Sequence, residues 1–137
     1  MKNLLTSLLC LAAFTAWGQT DILDARTNYS VGQTVTVTGI VTSDGNLGIV
    51  RYLQDETAGI ALYPGGQWTQ NGWPDPQPGD ELTMTGALSE YNGLLEVGPD
   101  GITDVTVLST GNELPAFQTI TPNDMDESME GELGYIP

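Results

Sequence analysis

Two stretches of this chain alternate polar and apolar residues with the period of a β-strand. Thr34-Val-Thr-Val-Thr-Gly-Ile-Val-Thr42 places Val35, Val37 and Val41 on one face. Glu81-Leu-Thr-Met-Thr-Gly-Ala-Leu-Ser89 does the same with Leu82, Met84 and Leu88. A period of two with one apolar face predicts half-buried strands. Gly39 and Gly86 fall on the same inward faces. Glycine inside a strand marks a bend or bulge, which a small closed barrel needs at its corners.

Between these stretches, residues 49–55 and 60–63 predict two more strands joined by a turn at Asp55-Glu-Thr-Ala-Gly59, with Leu53, Ile60 and Leu62 inward. Arg51 shares a face with Leu53 unless a bulge intervenes. Residues 64–79 predict a long loop carrying Trp68 and Trp73; Pro74, Pro76 and Pro78 exclude a helix there. Asn92-Gly93 is a strong hairpin signal, because a two-residue turn of this type needs positive φ at both positions. It pairs Tyr91 with Leu94 and Leu88 with Val97. Leu88, Leu95 and Val97 then face the core, and Tyr91, Leu94 and Glu96 the other side. Residues 103–108 predict one further strand.

The ends are less regular. Residues 19–33 read as an irregular lead-in whose Ile22 and Leu23 can pack on the barrel. Thr121-Pro-Asn-Asp124 has the form of a helix start, with Thr as N-cap, Pro at the first position and acids in the first turn. It predicts a short acidic helix over 122–129, stopping at Gly131. Residues 131–136 open a new strand without partners, so the coding sequence is expected to continue. The organisation read from the pattern is a signal peptide at 1–18, a lead-in at 19–33, a barrel at 34–109, then at 110–137 a linker, the short helix and the start of a truncated next strand.

The first 18 residues have a basic start, an apolar run and small residues at Ala16 and Gly18, the form of a secretory signal. The run is shorter than the ~20 residues of a membrane span. A secreted protein is expected (periplasmic, extracellular or at the cell surface), without a membrane span. Cys10, the only cysteine, leaves with the signal, so no disulfide forms. The net charge is −15, and loss of Lys2 makes the mature chain one unit more negative. Its remaining cations are Arg26 and Arg51, and the chain has no His. Phosphate-backbone binding draws on several Lys or Arg contacts, which this composition does not supply.

The order of parts resembles the OB-fold, a five-stranded Greek-key barrel. More narrowly, it is similar to OB-fold modules of exported Bacteroidetes-type multidomain proteins. The residues that carry the resemblance are Val37-Thr-Gly-Ile-Val-Thr42, Tyr52-Leu-Gln-Asp-Glu-Thr-Ala-Gly-Ile60, Gly79-Asp-Glu-Leu-Thr-Met-Thr-Gly86, Glu90-Tyr-Asn-Gly-Leu-Leu-Glu96 and Glu130-Gly-Glu-Leu133. The resemblance implies an all-β, five-stranded OB-fold-like barrel. It also implies a place ahead of further domains of the same polypeptide, often a secreted nuclease or phosphoesterase domain or a lamin-tail domain. Nucleic-acid binding enters only by analogy of fold. The chain departs from the family at Gly134 and Tyr135, where members continue with Val and a basic residue, and in lacking a basic groove.

Catalytic groups are not evident. The mature chain has no imidazole base and no thiolate. The acid pairs Asp55-Glu56 and Asp80-Glu81 sit at strand ends, where neighbouring residues point to opposite faces. Asp124, Asp126, Glu127 and Glu130 cluster near the acidic helix, but their spacing matches no calcium loop. No cofactor and no metal are expected. The binding candidates are Arg51, Tyr52, Tyr63, Trp68, Trp73 and Tyr91, which lie on outward positions, on the middle strand or in the long loop. Aromatic faces stack on bases or sugars; alternatively, Trp68 and Trp73 fold back to cap the barrel. The expected function is a non-catalytic accessory module with an oligosaccharide or single-stranded nucleic acid as weak ligand, nucleic acid binding more weakly than ~100 μM. The alternatives are an N-terminal fragment of a secreted nuclease or phosphoesterase, and a purely structural spacer.

Overall fold

The computed structural model describes residues 18–137; the signal-peptide reading, with Cys10, falls on residues outside this range. Five strands make the barrel: β1 (Thr34–Val41), β2 (Arg51–Gln54), β3 (Gly59–Leu62), β4 (Glu81–Tyr91) and β5 (Leu94–Val97). They run in the order β1-β2-β3-β5-β4, and β1 pairs again with β4 to close the ring. The β3–β5 pairing is parallel and the others antiparallel, so the barrel is mixed. A sixth strand, β6 (Asp104–Ser109), adds to the free side of β4.

Alternation does what its period requires. Val35, Val37 and Val41 of β1 meet Leu82, Met84 and Leu88 of β4 in the core with Leu53, Ile60, Leu62 and Val97; Leu95 packs against that core from a half-buried position. The polar positions are also paired. Thr36 and Thr85 hydroxyls lie 2.8 Å apart, and those of Thr38 and Thr83 2.6 Å apart, so the threonines form a cross-strand ladder on the outer face. Gly39 marks the corner where β1 passes from β4 to β2, since Ile40 pairs with both Glu81 and Gln54. Asn92 and Gly93 have φ of 53° and 93°, and the register Tyr91–Leu94 and Leu88–Val97 is as the turn predicts.

The helix lies at the other end of the chain from where the sequence placed it. The α-helix of the described residues, α1 (Ile22–Asn28), replaces the irregular lead-in and buries Ile22 and Ala25. The expected acidic helix over 122–129 is a turn followed by a single 3-10 turn at Glu127–Met129. The reason is local competition. Asp124 accepts the Thr121 N–H and hydroxyl, and Asp126 accepts the Ser128 N–H and hydroxyl. Such side-chain bonds hold the backbone in turns, and residues 121–128 are all exposed, with no buried face to favour a helix. Beyond them, β8 (Gly134–Tyr135) pairs in parallel with β7 (Gln118–Thr119), two residues on each side. No helix among the described residues is long and apolar enough to cross a membrane.

Helix α1 depends on a cap from the β2–β3 turn. The Asp55 carboxylate accepts the Ile22 N–H at 2.8 Å, and also the Thr57 N–H, the Thr57 hydroxyl and the Ala58 N–H of its own turn. One carboxylate thus closes the β2–β3 hairpin and caps the helix. Asp55→Ala is expected to cost about 2 kcal/mol, since caps and charge-assisted bonds each contribute on the order of 1 to 2 kcal/mol. Denaturant unfolding reads this directly, and an unchanged midpoint would refute the role.

Candidate functional site

On the outer face of the barrel, strand parity gathers Tyr52 of β2, Ala61 of β3 and Glu96 of β5 across neighbouring strands: Tyr52 pairs with Ala61, and Ala61 with Glu96. Ser89 of β4 faces Glu96 from the far side. Two hollows adjoin this row. One, of about 300 Å³, is lined by Val50, Tyr63, Tyr91 and Glu96. The other, of about 360 Å³, lies between Thr42, Ser43, Tyr52 and Leu94 and the C-terminal segment at residues 130–133.

The first hollow is set by two local features. The Asn92-Gly93 turn holds Tyr91 at the hairpin end, where its side chain is 68% exposed. The Tyr63 N–H donates to the Val97 carbonyl at 3.0 Å, which extends the β3–β5 contact by one residue and fixes Tyr63 beside Glu96. Glu96 itself is only 5% exposed. Burial pushes its carboxyl above the usual range, partly offset by the Ser89 hydroxyl 3.1 Å from Oε1. A carboxyl raised in the folded chain favours folding below its ordinary pKa, and that contribution is lost as pH climbs through the raised value.

The six residues proposed from sequence separate into groups. Tyr63 and Tyr91 line one hollow and Tyr52 the next. Trp68 is 2% exposed and donates its indole N–H to the Ile49 carbonyl at 2.7 Å, and Trp73 packs against the core. Both therefore hold the proline-rich loop to the barrel. Arg51 is 3% exposed and on the inner face with Leu53, with no bulge between them. Its Nε donates to the Pro76 carbonyl at 2.9 Å, Nη1 to Gly48 and Val50 carbonyls, and Nη2 to Asp75 at 2.7 Å. Val50, Ser89 and Glu96 belong to the site and were not singled out from sequence. For Ser89 and Glu96 the signal was the hairpin register, which puts both on the face of Tyr91; Val50 carried none.

Arg26 is equally engaged. It donates to the carbonyls of Gly59, Glu127 and Glu130 and pairs with the Glu130 carboxylate at 3.5 Å, fastening the C-terminal segment to α1 and β3. The larger hollow near α1, about 590 Å³, is rimmed by Asp21, Asp55, Glu56, Glu81 and Glu113, a surface that repels phosphate. Among the described residues no group of three or more His, Cys, Asp or Glu side chains comes together to hold a metal ion. The Asp124 carboxyl is held below its usual range by the Thr121 N–H and hydroxyl. The Asp126 carboxyl is lowered by the Ser128 hydroxyl and N–H.

No family model matches the chain. Over 108 residues it is 32% identical to Endonuclease YhcR of Bacillus subtilis (strain 168), a match that takes in 76% of this chain and 8% of the endonuclease. The chain thus spans less than a tenth of that relative's length. The similarity indicates a distant relation to that endonuclease, and nothing ties the chain to Bacteroidetes-type proteins in particular. It also corrects the functional expectation. The expected non-catalytic accessory module, and the expectation of no enzyme, are overturned by this likeness to an endonuclease, which fits the alternative of a nuclease fragment better. The absence of His and Cys addresses only the reactions that those side chains support.

Proposed function

We propose that the chain acts in nucleic-acid hydrolysis, as the barrel of an endonuclease-type protein that offers its Tyr63–Tyr91 face to a single strand. The observation that carries this reading is the 32% identity with Endonuclease YhcR. Geometry supports it: small barrels of this kind take ligands on the corresponding face and its flanking loops. Two exposed or half-exposed tyrosines there offer stacking of ~1 to 3 kcal/mol per base. Export is part of the same reading, supported by the leader-like pattern of residues 1–18.

Charge gives this binding a recognisable signature. Both Arg26 and Arg51 are occupied by internal carbonyls and carboxylates, so stacking rather than phosphate contact holds the strand. Where counterion release is small, the affinity does not fall steeply with salt. Fluorescence anisotropy with labelled single-stranded DNA and RNA is expected to give weak binding, ~100 μM or weaker, at the loose end of nonspecific complexes, nearly flat in salt and lost in Tyr91→Ala. Cleavage of the same strands by the full-length polypeptide is expected to fall in that variant. A chain that binds no strand at any salt would sink the proposal; a steep loss with salt would show that phosphate contacts, not the tyrosines, carry the binding.

A further inference from the structure

Glu96 has more acceptor capacity than its surroundings use. A carboxylate offers about four lone-pair sites, and its side-chain partner is the single Ser89 hydroxyl. That hydroxyl also lies within hydrogen-bonding reach of the Gly98 carbonyl. One hydroxyl carries one proton, so Ser89 serves either the carbonyl or the carboxylate at a given moment. The result is a largely buried carboxylate whose second oxygen, Oε2, accepts no hydrogen bond from the chain and stays open to the hollow. It lines a hollow whose other walls are two tyrosines and Val50. A ligand that brings a donor to each oxygen takes up that unused acceptor capacity in place of solvent.

The shape and chemistry restrict what that ligand is. A volume of about 300 Å³ is at the small end of ligand sites and suits one flat ring system. Aromatic walls favour a ring with a π-face. The carboxylate repels phosphate, so the strand enters base first with its backbone outside. Of the four common bases, guanine alone carries two adjacent N–H donors, at N1 and at the exocyclic N2. Adenine and cytosine each set one donor beside an acceptor, and thymine flanks its single N–H with two carbonyls. Two parallel donors match the two oxygens of one carboxylate.

We infer that the hollow between Val50, Tyr63, Tyr91 and Glu96 is a guanine-selective base pocket, in which Glu96 accepts the N1 and N2 hydrogens and the tyrosines flank the ring. This rests on the reading that the face holds single strands, and it adds base preference to it. Glu96 makes the selection; Tyr63 and Tyr91 serve any base.

The test is anisotropy of the purified full chain with short labelled oligothymidylates that carry one central guanine, adenine, cytosine or inosine. Guanine is expected to bind roughly tenfold tighter than thymine alone, the size of one good bidentate contact. Inosine keeps N1–H but lacks the exocyclic amine, so it should lose most of the gain. In Glu96→Gln, shown to be folded by circular dichroism, the guanine-to-thymine ratio should drop to near unity. Equal affinity for all strands would overturn the base pocket while leaving strand binding intact. So would a guanine preference that survives with inosine or in Glu96→Gln. Failure of every strand to bind would overturn both.

Discussion

Gly39→Val is expected to cost about 3 kcal/mol or more, at the upper end of what overpacking does and a large share of a small domain's stability. A side chain at this position would bring its Cβ to 2.5 Å from the Gln54 carbonyl oxygen and 2.8 Å from its carbon. Both are backbone atoms of β2, and neither can swing aside as a side chain would. The position is also where the ring closes, since β1 changes partner there from β4 to β2. Gly86→Val is a useful contrast. Its Cβ would meet Val97 Cγ1 at 3.1 Å and Ile102 Cγ1 at 3.4 Å, side-chain atoms that can yield, so a cost of roughly 1 to 3 kcal/mol is expected. Urea unfolding of the two variants ranks them. Equal midpoints would mean that the corner at Gly39 is not under the constraint described.

Arg51→Ala is expected to destabilise by about 3 kcal/mol, within the range for breaking a buried ionic and hydrogen-bonded group. The loss is not chiefly that of an ion pair. The Asp75 side chain is 49% exposed and hydrates once its partner is gone, so Asp75→Asn should cost under about 1 kcal/mol, as for surface pairs. What cannot hydrate is the Pro76 carbonyl, bonded to the buried Nε at 2.9 Å. The same guanidinium also ties the proline-rich loop to residues 48–50. Thermal unfolding of the two variants separates these contributions. A similar loss in both would show that the ion pair, rather than the carbonyl set, holds the loop. A weakened interaction with nucleic acid in Arg51→Ala would therefore report a loosened loop and not a missing phosphate contact.

What was legible in the sequence is what period two encodes. The core from Val35 to Val97, the glycine corners and the Asn92-Gly93 register follow from alternation and turn chemistry, both of which are local. Helix α1 was not legible because its cap, Asp55, lies 33 residues away in sequence, and Ile22 and Ala25 alone make too short a stripe. The helix expected over 122–129 was misread for the opposite reason: the acids that suit a first helical turn also close turns with Thr121 and Ser128. At the site, parity put Tyr91 and Glu96 on one face. It could not show that Glu96 is buried there, because that depends on Tyr63 and Val50 arriving from the ends of β3 and β2. Arg51 and Trp68 read as binding residues by type, but their donors are spent on carbonyls of the chain itself. The nuclease alternative came from the set of segments that carry the family resemblance, since no single motif contains it; the likeness to the endonuclease likewise runs over 76% of the chain.

The shared carboxylate at Asp55 has a consequence for the order in which the protein assembles. A seven-residue helix is too short to persist alone in water, and its first N–H is satisfied only by a side chain in the β2–β3 turn. Helix α1 therefore forms after that hairpin has closed, although it precedes the hairpin in the chain. Until then Ile22 and Ala25 are uncovered and the core cluster they join is incomplete. An element that precedes every barrel strand in the chain is thus among the last to find its place, where Ile22 and Ala25 complete the core.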